Sequence, residues 1–582
     1  MAHRRWPRMR PVLAAALAAA LTAGMAVATG AYSGWPGWRS GADRASAAPD
    51  LVLYNGKIST VDSRNSTVEA IAIRGDEIVA TGRNGRVRAL AKKGTQSINL
   101  HGRRVLPGLI DGHLHGIRMG SYFCFSRSPR FDPIYARAQA IANVAQKASQ
   151  TPAGKWLFQI GGGWNVAQFD EPGMLTKAEL DGAAPNHPTY LQGTGFTGGQ
   201  VNSLGLRVLA LGPGSPGVVL DPNGQPTGQL TGAANTLAIR TIGQELFDLT
   251  FDEQEACTRD FIRELNRRGL TAWDDPGGNN PFSPTGIPDA ILRDDHGYQA
   301  VNRLHRKGEL DARIRFNFSC FGTIIGMPCV KESTTNAISE VGDDNLRIGG
   351  IGEEVLALQP DGTYPEAEYM DILRFLASNE WSFEHHATAG TTQHSMLDMW
   401  DEVNQEFPIT DLRWRMLHPG DGPAEPNDET LAHLKELGAG IIPTDTLAKG
   451  GTGHPPFRRI YESGTEACLG TDALNVSPYP PFVNLWYTVS GKTYVPGQEG
   501  VVPEQRLTRL EALRMATERC DWFMSLDGRV GTLEVGKLAD LIVLNRDYFR
   551  VPEDDIRSLT SLLTVVDGEI VFADGEYTRL DD

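Results

Sequence analysis

At 582 residues, 41% of them hydrophobic, the chain is long enough to bury a large core and to hold more than one domain. Its formal charge of −16 offers no basic stripe to neutralise phosphates, which argues against nucleic acid as a partner and equally against anionic membrane surfaces. Coiled-coil heptads and low-complexity repeats are absent, so nothing suggests a fibrous or scaffolding role.

The N-terminus stands apart. Arg4, Arg5, Arg8 and Arg10 precede an uncharged Ala/Leu/Val-rich run over residues 11–31, and Ala45-Ser46-Ala47 supplies a small-residue cleavage site. This is the pattern of an export signal. Residues 1–47 are therefore read as signal and linker, and the mature protein as periplasmic or extracellular. Arg4-Arg5 fits a twin-arginine address for an enzyme exported folded. Ordinary secretion or an uncleaved anchor is the alternative, because about 20 apolar residues can span a bilayer.

Residues 50–58, 70–80 and 96–106 read as short strands broken by Asn55-Gly56, Gly75-Asp76 and Gly102. The run Pro107-Gly108-Leu109-Ile110-Asp111-Gly112-His113-Leu114-His115 follows. Side chains alternate along a strand, so His113 and His115 face the same way and can share one metal ion. Residues 153–243 are rich in Gly and Pro and read as an insertion or lid. Gly161-Gly162-Gly163-Trp164 lacks the Lys-Ser/Thr of a phosphate loop. The segment from Asp221 to Gly228 reads as a turn.

From Ala272 onward, strand-like runs alternate with helical patterns, as in successive βα units. The expected strands are 269–274, 314–320, 346–351, 381–386, 412–418, 439–442 and 466–471. With the His-x-His strand they make eight, and a (β/α)8 TIM-like barrel is the economical solution, with its chemistry at the C-terminal strand ends. His386, His418 and Asp472 fall at such ends. Near the C-terminus, residues 541–544 and 562–572 are strand-like, with a hairpin at Asp567-Gly568. The expected organisation is an α/β chain: β-sandwich strands over 48–107, a barrel over 108–510 with the insertion at about 153–243, and a helix plus the second sandwich part over 511–582. The six cysteines, at 124, 257, 320, 329, 468 and 520, show no Cys-x-x-Cys spacing and are expected as buried free thiols, although export permits one or two bridges.

The Pro-Gly-Leu-Ile-Asp-x-His-x-His strand and the Gly-x-Leu-x-x-Gly-Lys-x-Ala-Asp-Leu segment at 531–541 resemble the metal-dependent amidohydrolase superfamily. The segments Asp221 to Gly228 and Val201-Asn202-Ser203 are similar to those of its amidohydrolase-3 subgroup, which includes N-substituted formamide deformylases. The resemblance implies a divalent metal, zinc by its ligand types, one or two per chain. It assigns His113, His115 and Asp472 to one ion and His386 and His418 to a second if the site is binuclear. His386 then faces inward and its neighbour His385 packs. Asp472 becomes the proton carrier for metal-activated water attacking a C–N bond of an amide, formamide or cyclic amide.

Several positions depart from the subgroup. Where many relatives carry a carboxylated lysine, this chain reads Gly349-Gly350-Ile351-Gly352-Glu353-Glu354. Glu353 is the expected replacement ligand, Glu354 the runner-up, and a single-metal site the alternative to both. The usual His before the Asn-Ser motif is Thr197 or a neighbour, and the usual Glu before the sixth-strand His is Leu417. Substrate preference therefore does not transfer from a relative, and the partner is expected to be a small-molecule substrate. Asp274 and Asp275, ending the second strand, contact substrate or merely cap. The rival functions are ester hydrolysis or deamination at the same centre, and a barrel that binds a small molecule without catalysis.

Overall fold

The computed structural model describes residues 48–123, 134, 136–159, 169–193, 198–247, 250–277, 295–320, 325–420, 425–444, 455–473, 477–493 and 497–580. The proposed leader, the Gly161–Trp164 run, Thr197 and Cys124 lie outside them. Among the described residues, no helix is long and apolar enough to cross a membrane.

Eight parallel strands form one sheet in chain order. They are β1 (Leu109–Asp111), β2 (Leu270–Asp275), β3 (Arg313–Phe318), β4 (Leu346–Ile351), β5 (Ser382–His386), β6 (Arg415–Leu417), β7 (Gly440–Ile442) and β8 (Glu466–Ala467). Their mostly apolar, buried composition is what a parallel sheet covered by helices requires. The two edge strands are tied together beyond their ends. Gly112 N donates to Leu469 O at 2.8 Å, Asp472 N to His113 O at 2.8 Å and His115 N to Ala473 O at 3.1 Å.

Period-two alternation decides what each strand offers to each face. On β5, Phe383 and His385 pack against aromatic residues of the covering helices, Trp400 and Tyr369 among them. Ser382, Glu384 and His386 take the opposite face. The helices are specified locally as well. Phe251–Arg267 opens with a capping box in which Thr250 Oγ1 accepts from Glu253 N and Thr250 N donates to Glu253 Oε2. Its Cys257, Phe261 and Leu265, four residues apart, are buried.

Both chain ends contribute to two further sheets. Strands Glu77–Gly82, Ala70–Arg74, Leu51–Tyr54 and Gln96–Asn99 form one; Glu569–Ala573, Ser561–Val566, Leu541–Leu544, Arg104–Pro107, Lys57–Ser59 and Thr67–Val68 form the other. Leu51, Leu53 and Ile71 from the first share an apolar cluster with Val105, Leu541 and Val565 from the second. The Asp567-Gly568 hairpin stands as expected, both residues at positive φ. Arg313 of β3 reaches this region through a buried ion pair to Asp540, at 2.6 Å, and a partly exposed one to Asp567, at 3.0 Å. That gives the Ala-Asp-Leu end of the 531–541 motif a structural purpose. Within the region read as an insertion, strands Leu157–Gln159, Thr189–Gln192, Gly198–Val201, Val218–Leu220 and Pro226–Thr231 make a separate five-stranded sheet. Asp221 is indeed a turn residue, its carboxylate accepting from Asn223 N and Gln225 N.

Two expectations are corrected. The cysteines are not free thiols: Cys320 is bridged to Cys329 and Cys468 to Cys520. Cys468 and Cys520 are 52 residues apart, and only the packing of the Glu518–Cys520 turn against β8 brings their Cα atoms within 4.9 Å. Further, β1 stops at Asp111, so His113 and His115 stand past the strand, directly before the helix Gly116–Tyr122. Their convergence comes from the loop's pairing with residues 469–473 rather than from strand alternation. Gly112 allows that loop to lie against the second bridge, since a Cβ there would meet Cys468 Sγ at 2.7 Å.

Candidate metal centre

The expected ligands converge at the C-terminal edge of the parallel sheet. His113 and His115 come from the loop after β1, Glu353 from the turn after β4, His386 from the end of β5, His418 from just beyond β6 and Asp472 from beyond β8. The Glu353 carboxylate is the hub. His386 Nε2 lies 2.9 Å from its Oε1, His418 Nε2 3.1 Å and His113 Nε2 3.6 Å, while His115 Nε2 lies 3.1 Å from its Oε2. Asp472 closes the other side, with Oδ1 3.2 Å from His115 Nε2 and 3.7 Å from His113 Nε2.

The donor set fits a divalent cation. One ligand atom each from His113, Glu353, His418 and Asp472 lies within 4.8 Å of all the others. These are the nitrogen and oxygen donors that zinc accepts. Both ring nitrogens of His113 and of His115 are buried without a hydrogen-bond partner. Such groups cost about 1–3 kcal/mol each when left unsatisfied, and a shared cation removes that cost for the nitrogens that face it. His115 Nε2 is within 3.2 Å of two carboxylates at once, so the atoms surround a common point instead of forming one closed pair. His418 Nδ1 pairs with Thr444 Oγ1 at 2.8 Å, which leaves Nε2 to face the centre.

The electrostatics reflect this crowding. Burial alone would raise the Glu353 carboxyl, but His386 and His115 beside it hold it well below the usual carboxylate range. Burial likewise opposes ionisation of Asp472, and His418 and His113 overcome it. His386 is pushed down by burial, yet Glu353 lifts it to about 10. For His418 burial prevails, taking the imidazole to about 4.

Other predicted positions fall as follows. His385 packs away from the centre against Tyr364 and Tyr369, its Nε2 accepting from Val355 N. Glu354 touches His386 at 3.0 Å but is a third exposed. Leu417 joins the apolar layer of Ile110, Ala272, Ile442 and Cys468. Asp274 and Asp275 are structural. Asp274 is ion-paired with Arg315 at 3.1 Å and with Arg415, and Asp275 accepts from Ile117 N, Gly277 N and Trp273 Nε1. Asp111, which the sequence reading passed over, accepts from His113 N and Thr471 N at 3.0 Å through Oδ1 and from Thr471 Oγ1 at 2.6 Å through Oδ2. One carboxylate thereby fixes both ligand-bearing loops. Its place inside the Pro-Gly-Leu-Ile-Asp run was the available signal.

A parallel eight-stranded sheet presenting four imidazoles and two carboxylates at its C-terminal edge defines a metal-dependent hydrolase. The chain belongs to the amidohydrolase family, whose profile matches residues 96–572, and by that membership it acts on carbon–nitrogen bonds. It is 23% identical to an N-substituted formamide deformylase of Arthrobacter pascens, over 89% of this chain and 97% of that protein. It is also 23% identical to the protein LONG AFTER FAR-RED 3 of Arabidopsis thaliana, over 92% and 94%. Among solved structures, an uncharacterized metal-dependent hydrolase from Pyrococcus furiosus matches with a TM-score of 0.59 at 20% identity, over 86% of this chain and 100% of that one.

Proposed function

We propose that this protein is an exported zinc hydrolase that opens the C–N bond of an amide, formamide or cyclic amide. The observation that carries the reading is the Glu353 hub, one buried carboxylate within 3.6 Å of four imidazole nitrogens. His113, His115, Glu353, His386, His418 and Asp472 would hold one or two ions, with Glu353 supplying a carboxylate in place of the missing lysine. A bound divalent ion supplies Lewis-acid polarisation of a carbonyl and a lowered pKa for water. Asp472 accepts the proton of the attacking water at a carboxylate oxygen and delivers it to the leaving nitrogen. Asp111 and Thr444 hold the loops and imidazoles in register, and His385, stacked among aromatic rings, fixes the β5 end that carries His386.

The resemblance to a formamide deformylase supports the substrate class, and two disulfide bridges in the described residues support an oxidising compartment. On this reading the edge-tied sheet is a barrel over 108–510, with an insertion at about 153–243. The chain-end sheets over 48–107 and 511–582 form a β-sandwich, and residues 1–47 are the leader.

Metal content of the mature protein by plasma mass spectrometry, with a panel of N-substituted formamides, linear and cyclic amides, esters and aminated bases, tests the proposal. Zinc at one or two per chain, with amide or formamide turnover lost on chelation and restored by zinc, is expected. Turnover confined to esters or to deamination overturns the substrate class. A chain that retains no metal after supplementation overturns the centre.

A further inference from the structure

The Cys320–Cys329 bridge sits against the turn that carries Glu353. Cys320 N donates to Glu354 O at 3.2 Å and Gly326 N to Val355 O at 2.6 Å, while Gly352 N donates to Phe318 O at 3.1 Å. The other side of the turn hangs on β5, through His386 N to Glu353 O at 3.3 Å and Val355 N to His385 Nε2 at 3.2 Å. Glu353 thus stands on a turn suspended between the end of β5 and the amides of Cys320 and Gly326, and the disulfide ties Cys320 to the helix that follows Gly326. These two bridges among the described residues differ in access. Cys468 and Cys520 are fully buried, and Cys320 is nearly so, but Cys329 in the first turn of Met327–Thr334 is only half-buried.

We propose that the Cys320–Cys329 disulfide is a redox-sensitive positioning element of the metal centre, holding Glu353 in place when oxidised and weakening metal retention when reduced. The proposal rests on Glu353 being a ligand. A dithiol is the reductant. Its thiolate attacks Sγ of Cys329, the less buried partner, the Cys320 thiolate leaves and takes up a proton, and the second thiol closes the reductant's own disulfide and releases Cys329 as a thiol. Two electrons and two protons pass to the protein. Opening the bridge uncouples Cys320, whose amide holds Glu354 O, from the helix Met327–Thr334 that follows Gly326, whose amide holds Val355 O, and the two donors are no longer fixed to one another. A ligand that loses its orienting partner weakens metal affinity by about 10- to 100-fold, and that is the effect expected here.

The test uses the full mature chain loaded with zinc. Wild type is treated with a dithiol under native conditions and freed of reagent by gel filtration. Released thiols are counted, and zinc affinity is measured by competition with a chromophoric chelator. The Cys320→Ser/Cys329→Ser variant is measured alongside, with far-UV circular dichroism to confirm its fold. Two thiols per chain, a 10- to 100-fold weaker zinc affinity in both reduced wild type and the variant, and recovery on reoxidation of wild type only, are expected. If the variant fails to fold, reduction and reoxidation of wild type decide alone. Two thiols with unchanged affinity overturn the proposal, as does the absence of thiols after native dithiol treatment. Oxidised wild type that binds no zinc overturns the metal-centre reading, and this inference with it.

Discussion

Replacing Asp111 by alanine separates the framework of the centre from its ligands. The Asp111 Oδ1 atom receives two buried backbone amides, His113 N and Thr471 N, and Oδ2 receives the Thr471 hydroxyl. Alanine strands both amides, at about 1–3 kcal/mol each, whereas the hydroxyl can turn to another acceptor. The expected loss is about 2–6 kcal/mol of stability, together with a zinc affinity about 10- to 100-fold weaker, because the same amides orient His113 and Asp472. Asparagine keeps an oxygen where both amides donate. It also removes a charge that burial already disfavours, the Asp111 carboxyl being pushed up to about 6. Asp111→Asn should therefore remain within about 1 kcal/mol of wild type. Urea unfolding and chelator competition on both variants measure the two quantities. An Asp111→Ala protein that loses stability but keeps wild-type zinc affinity would refute the positioning role. An asparagine variant as damaged as the alanine one would show that the charge, not the acceptor, matters.

Three further outcomes are expected. Glu353→Ala should lower the zinc content of the mature protein by at least one ion per chain, and unchanged occupancy measured by mass spectrometry would sink the hub reading. Asp274→Ala leaves the buried Arg315 and Arg415 without their shared carboxylate and should cost about 3–5 kcal/mol in urea unfolding; a cost under 1 kcal/mol would mean the pair is internally compensated. Glu264, gripped by Arg267 at 2.6 Å and Arg268 at 2.9 Å, is raised by burial but held by them at about 2. Its folded pKa is depressed, so its stabilisation is complete above its ordinary value of 4.5 and is lost as pH falls through 2. Glu264→Gln should cost about 2 kcal/mol near pH 7, less than the full shift implies because Arg267 is partly exposed, and the gap to wild type should close on acidification.

The strands were legible because a buried parallel strand is an apolar run, and the cluster at the sheet's C-terminal edge because its members are polar residues where such runs end. The ranges 346–351 and 541–544 are identical in sequence and structure, and the other expected strands are offset or trimmed at their ends. Glu353 could be read from a missing lysine, His386 from its place at the end of β5. What escaped depends on several strands at once. Asp274, Arg315 and Arg415 lie on β2, β3 and β6 and become one ionic cluster only when the sheet is assembled. The disulfides escaped for the same reason. The His-x-His pair converges as expected but not by strand alternation, which ends two residues before it.

The proposed ligands divide by how they are held. His386 belongs to a strand, so the sheet's own hydrogen bonds fix it. His113, His115, Glu353 and Asp472 stand on loops and depend on braces: Asp111 for residues 113 and 472, the Cys320–Cys329 loop for residue 353. The two braces share no hydrogen-bonded residue, one gripping 113 and 471 and the other 354 and 355. Mutations without shared partners add in free energy, so the Asp111→Ala and Cys320→Ser/Cys329→Ser changes combined should multiply their effects on zinc affinity, to about 100- to 10,000-fold. Chelator competition on the combined variant checks this. A combined variant no weaker than the weaker of its parents would mean that both braces act on one rigid frame, and that the loops are not the independent arms their hydrogen bonds describe.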